Sequence, residues 1–228
     1  MKALLVFAAL FLSAAVLKSE EIFFPTKAGT VLVYKTFDKK DKETGTLKYS
    51  IKNLTASGND MDITYQCESY DAKQKLIYKE DITIHKKGDK LYFDMSNLIN
   101  KAALQKNGEI SPQVTVTGNN MEMPSNPKVG DVLPDATVTM AMSLGFMTMK
   151  MSATVANRKL EAIEDISVKG GTFKCYKFTS DVTSTAMGMK MNLKNTDWYS
   201  KGIGIVRTES YDKNGKLQSH MELIEVQK

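Results

Sequence analysis

Methionine is the residue whose type and spacing here best mark out a special surface. The stretch A-T-V-T-M-A-M-S-L-G-F-M-T-M-K-M-S-A-T-V sets Val138, Met140, Met142 and Leu144 on alternate positions. After Gly145 it does the same with Met147, Met149 and Met151. A third segment repeats the pattern with Met187, Met189, Met191 and Leu193. Unbranched thioethers have four uses. They fill irregular gaps in a closed core. They line a pocket or groove and adapt to a flexible apolar ligand. As soft donors they hold Cu(I), although no His or Cys joins this cluster in the sequence. Lastly, they serve as a sacrificial surface that cycles through the sulfoxide.

The other reactive side chains are few. Cys67 and Cys175 are the two cysteines, and in an oxidising compartment such a pair is a disulfide candidate. Cys67 runs in phase with Met61, Ile63 and Tyr65 on the apolar side of its segment. Cys175 shares its side with Phe173 but also with Lys177. A bridge and two buried thiols both fit that pattern. Of the two histidines, His85 and His220, neither sits in a metal-ligand spacing such as H-E-x-x-H. There is no G-x-S-x-G nucleophile elbow. The G-x-G in K-G-I-G-I-V is explained by glycines at a strand start. Glu161, Glu164 and Asp165 read as a solvated strand surface, and a single tryptophan, Trp198, offers little sugar-stacking area. A hydrolase working through carboxylates from distant strands has no positive support. The expectation is a non-enzymatic protein with no cofactor and no metal.

Strands must position these side chains, because the dominant periodicity is two. Segments rich in β-branched and aromatic residues, separated by polar turns, predict strands over 31–37, 46–54, 61–70, 76–85, 90–94, 113–117, 136–144, 146–156, 159–168, 173–183, 187–198, 203–211 and 217–226. One helix is predicted over about 96–106, with Ser96 as its cap, an apolar stripe from Leu98 to Ala103 and Gly108 past its end. Phase is even up to Leu144 and odd from Met147, so the chain must turn or bulge between them. A hairpin about Leu144-Gly145 places Met142 opposite Met147, Met140 opposite Met149 and Val138 opposite Met151. E-S-Y-D-A-K-Q-K-L from Glu68 and E-S-Y-D-K-N-G-K-L from Glu209 share one hairpin-loop grammar. The fold class that follows is all-β: a single-domain curved antiparallel sheet or open barrel with that one short helix.

The chain starts with a charged residue, an apolar run and small residues, which read as a signal peptide over 1–19. Residues 20–228 then form one antiparallel β domain, with no linker or compositional break. No later segment is long and apolar enough to span a membrane as a helix. The formal charge is +5, but it is carried by Lys interspersed with Asp and Glu, and Arg occurs only at Arg158 and Arg207. That balance describes a solvated surface rather than a nucleic-acid reader.

Three stretches carry a family resemblance: P-S-N-P-K-V-G-D-V-L-P-D-A from Pro124, G-G-T-F-K-C-Y-K-F-T-S from Gly170 and D-W-Y-S-K-G-I-G-I-V-R-T-E-S-Y from Asp197. With the N-R-K run ending at Lys159, the sequence resembles the TapB-like exported bacterial proteins, a group related to a larger domain-of-unknown-function family of secreted β proteins. The resemblance implies a curved antiparallel sheet and export to the periplasm or cell surface of a Gram-negative bacterium. It brings no catalytic residue, and it implies that the N-L-T sequon at Asn53 is silent. The expected function is an envelope-associated protein that binds or carries a lipid or other flexible apolar ligand on its methionine-lined face. The rival is a structural or interaction protein in which that face is closed core.

Overall fold

The structure, a computed structural model, describes residues 21–98, 105–106, 109–110, 114–144, 147–186 and 188–228. The alternating residues form the strands β1 (Val31–Asp38), β2 (Glu43–Ser57), β3 (Asp60–Asp71), β4 (Leu76–Lys87) and β5 (Lys90–Asp94). Next come β6 (Gln105–Lys106), β7 (Glu109–Ile110), β8 (Val114–Gly118), β9 (Asn120–Pro124) and β10 (Val132–Leu133). The long C-terminal strands are β11 (Ala136–Leu144), β12 (Met147–Val168), β13 (Gly171–Ala186), β14 (Met189–Ser200), β15 (Gly204–Tyr211) and β16 (Leu217–Gln227).

Apart from the small β6–β7 pair, these strands make one antiparallel sheet in the order β8-β11-β12-β13-β14-β15-β16-β1-β2-β3-β4-β5-β9, with β10 beside β12. The two edge strands, β8 and β9, are consecutive in the chain and joined only through Asn119. The sheet therefore curls until its ends meet, and no strand pairing seals the seam. Asn119, the link between the two edges, is held to the β11 side of the seam. Its Nδ2 donates to Asp135 O (2.9 Å), its Oδ1 accepts from Thr137 N (2.6 Å), and its backbone N donates to Thr137 O (3.0 Å). Unpaired strand edges invite association, and folding the two edges together shields both.

Bulges supply the curvature. Register shifts interrupt β12 against β13 at Ala156/Lys159 and again at Leu160/Ala162, with Asn157 at φ 53°. The two strands expected over 146–156 and 159–168 are thus one long bent strand, since a bulge re-aims the side chains without ending the pairing. The helix expected over 96–106 is corrected. Met95–Leu98 is a single 3₁₀ turn and Gln105–Lys106 is a strand, while residues 99–104 lie outside the described residues. The expected leader over 1–19 also lies outside them.

Two apolar clusters fill the curl. The inner one unites Ile51, Ile63, Tyr65, Ile84, Leu91, Leu160 and Phe178 with Ile22, Phe23 and Phe24. The second joins Leu32, Cys175, Trp198, Val206 and Leu223, and is covered by Ile166, Val168 and Phe173 of the β12–β13 hairpin. Gly170 at the tip of that hairpin donates its N–H to Leu223 O at 3.1 Å. A Cβ at Gly170 would sit 3.0 Å from that carbonyl, so a larger residue would push the two segments apart by a few tenths of an ångström.

Candidate functional site

A cavity of about 450 Å³ opens inside the curl, within the range of small-molecule sites. Three tyrosines from adjacent strands build one wall. Tyr34 on β1, Tyr49 on β2 and Tyr65 on β3 stand diagonally across the ladder, with ring centroids 5.2 and 5.1 Å apart. Large aromatic rings reach across such diagonals, and tilted contacts at this distance suit their quadrupoles. Tyr199 of β14 adds a fourth ring, while Ile82, Ile84, Phe93, Met95 and Met121 continue the wall toward the seam. The irregular segment Ile22-Phe23-Phe24 plugs the floor. All three side chains are buried, Phe24 lies 5.1 Å from Tyr65, and Gly202 N donates to Ile22 O at 2.7 Å.

The polar corner comes from β14, whose alternate residues Met189, Met191, Leu193, Asn195, Asp197 and Tyr199 share one face. Asp197 Oδ1 accepts the Thr208 hydroxyl at 2.7 Å. Burial pushes its carboxyl up to about 6, partly offset by the Thr208 bond and the nearby Arg158 guanidinium. Arg158 is itself buried and donates to Pro134 O at 3.1 Å; it is not among the residues lining the cavity. Asn195 Oδ1 is buried and accepts no hydrogen bond among the described residues, an expensive condition for an amide oxygen.

Asp197 makes stability depend on pH. Its folded value, near 6 against 3.8 for an ordinary aspartate, leaves the native state with more bound protons between those limits. Its contribution therefore falls as pH rises through that window and stays low above it, by about 3 kcal/mol at about 1.4 kcal/mol per pH unit. Asp197→Asn should gain on the wild type by up to that amount between pH 4 and pH 7, less any loss at the Thr208 bond. Urea denaturation of both proteins across this range checks it; a difference that does not change with pH contradicts it.

The methionines stand further out on the same inner surface. Met140 pairs with Met151, Met142 with Met149 and Leu144 with Met147, so the expected register is corrected by two residues. A shift of two leaves every side chain on its face, and Met140, Met142, Met149 and Met151 do share one. Met151 pairs with Ala186, and Ala186 with Met189, which brings β14 onto that face as well. Met187 lies outside the described residues. Exposure divides the group: Met140 is 3 % exposed, Met151 39 %, Met191 55 % and Met189 73 %. Among the described residues, Met140, Met142, Met149, Met151, Met189 and Met191 do not line the cavity, whereas Met95 and Met121 do. The face is closed core at Met140 and an open apron toward the β13–β14 tip.

Cys67 and Cys175 are free buried thiols in different clusters, Cys67 on the cavity wall and Cys175 beneath the β12–β13 hairpin. Burial pushes them up to about 11 and about 12, which makes both poor nucleophiles. His85 pairs with Asp62 at 2.7 Å on the surface, and His220 stacks on Phe37 at 4.6 Å. Glu164 accepts the Trp198 indole N–H at 2.7 Å and Glu161 pairs with Lys159. Among the described residues no group of three His, Cys, Asp or Glu could hold a metal ion, and no helix is long and apolar enough to cross a membrane.

A family model described as DUF3108-like matches residues 27–223. Two solved structures are similar over nearly their whole length. One, from Bacteroides fragilis, is described as an exported protein with a YmcC-like fold; it has a TM-score of 0.74 at 19% identity and covers 91% of this chain and 100% of its own. The other, from Parabacteroides distasonis, is described as a lipoprotein, with a TM-score of 0.74 at 23% identity, covering 91% of this chain and 99% of its own. At such identities the likeness shows the fold alone. No curated protein matches the sequence.

Proposed function

The chain belongs to the DUF3108-like family, and on that premise we propose that it is an exported, non-enzymatic binding protein of the bacterial envelope. Its ligand is an apolar molecule held in the tyrosine-walled cavity, with the exposed methionines forming a flexible approach to it. The observation that carries this reading is the cavity itself: about 450 Å³ walled by Tyr34, Tyr49, Tyr65, Tyr199, Phe23 and Phe24. A space of that size left empty forfeits the contacts that close packing would give. Unbranched side chains at the rim, such as Met151, Met189 and Met191, can repack around ligands of different shape. The TapB-like motifs belong to this reading as a finer placement within the family. The descriptions of its structural relatives as an exported protein and a lipoprotein agree with an envelope location.

Native mass spectrometry of protein recovered from a bacterial envelope tests the proposal. A co-purified apolar molecule, lost on unfolding, is the expected result. A bare apo mass that takes up no added lipid or alkyl probe would favour a structural role instead.

A further inference from the structure

The charges around the cavity are lopsided in a way that selects among apolar ligands. The chain carries 31 Lys and Arg residues, yet among the described residues no Lys, Arg or His lines the cavity, whereas Asp94 and Asp197 both do. Asp94 is already engaged, accepting from Ser96 N and Ser96 Oγ at 2.8 Å each. Among the described residues Asp197 accepts a side-chain hydrogen bond from Thr208 alone, and Asn195 Oδ1 accepts none. These two residues lie two positions apart on one strand face, about 7 Å along β14, with Ser180 of β13 the ladder partner of Asn195. A single donor head placed between them would meet the unpaired amide oxygen and the carboxylate together. An anionic head would meet a carboxylate with no lining cation to pair with, which is costly in a desolvated space.

Resting on the reading of the cavity as the ligand site, we infer that it selects amphiphiles whose head donates hydrogen bonds and bears no negative charge: an alkyl alcohol or alkyl amine, not a fatty-acid carboxylate. The aromatic walls take the alkyl chain, and the head sits between Asn195 and Asp197.

Competition against N-phenyl-1-naphthylamine fluorescence near neutral pH tests this with three matched chains: 1-decanol, decylamine and decanoate. The alcohol and the amine should displace the dye at concentrations about tenfold or more below that needed for decanoate, an effect the size of one charge-assisted hydrogen bond. Asn195→Leu should bring the three within about threefold of one another, with folding checked by circular dichroism. Decanoate displacing the dye as well as the other two on wild-type protein overturns the inference while leaving the cavity as a ligand site. Failure of the dye and all three chains to bind folded protein removes the cavity reading and this inference with it.

Discussion

Phe23→Ala should lower the stability of the protein by about 3–5 kcal/mol, the usual cost of emptying a buried phenylalanine site. Phe23 is fully buried although it lies outside every strand. Its ring meets Tyr176 edge-on at 4.9 Å and Tyr199 at 6.3 Å, and Lys201 Nζ lies 6.0 Å from its centroid. No single strand owns the plug, so its loss releases contacts on several at once. In a chain of this size the melting temperature should fall by roughly 10 °C or more. Phe23→Leu keeps most of the volume and should cost far less. Chemical denaturation of the three proteins decides it. A Phe23→Ala change within about 0.5 kcal/mol of wild type, the range of ordinary surface substitutions, would show that the segment merely rests against the barrel.

Met140→Lys should be comparably severe and Met189→Lys close to silent, although both methionines lie on the same face of the sheet. Met140 is 3 % exposed, beside the cluster of Met95, Ala136 and Val138, so a lysine there leaves a buried charge without a partner. That costs about 3–5 kcal/mol. Met189 is 73 % exposed, and a lysine there reaches water, with an effect within about 0.5 kcal/mol. Equal losses from the two substitutions, read from denaturation midpoints, would contradict the division of the face into closed core and open apron.

That division also marks how far the sequence could be read. Period two is a local signal, so strand existence, strand phase and the shared methionine face follow from residues such as Met140 and Met149 alone. The pairing did not: two hairpin registers two residues apart satisfy the same phase, and only the turn geometry separates them. The predicted helix from residue 96 rested on a local cap and stripe. Its described start is a 3₁₀ turn whose Met95 is held by Ala136 and Val138, a tertiary contact with no local signature. Cys67 sits in an apolar phase and Cys175 in a mixed one, and no local signal separates their destinations, since even adjacent positions of one strand, Trp198 and Tyr199, feed different clusters. The cavity was least legible. Tyr34, Tyr49 and Tyr65 each sit in an apolar phase while Tyr199 follows Asn195 and Asp197 on its face, and their convergence depends on β14 and β3 reaching the same interior through a curled sheet. Ile22-Phe23-Phe24 is too short to show any period.

In the proposed function the ligand occupies the tyrosine cavity and not the exposed methionine apron. Methionine methyl resonances separate the two, since the chain has 14 methionines, with Met95 and Met121 on the cavity wall and Met189 and Met191 on the apron. In protein labelled with ¹³C at the methionine methyls and titrated with 1-decanol, the Met95 and Met121 signals should shift in saturable fashion while those of Met189 and Met191 stay in place. Saturable shifts confined to Met189 and Met191 would contradict it.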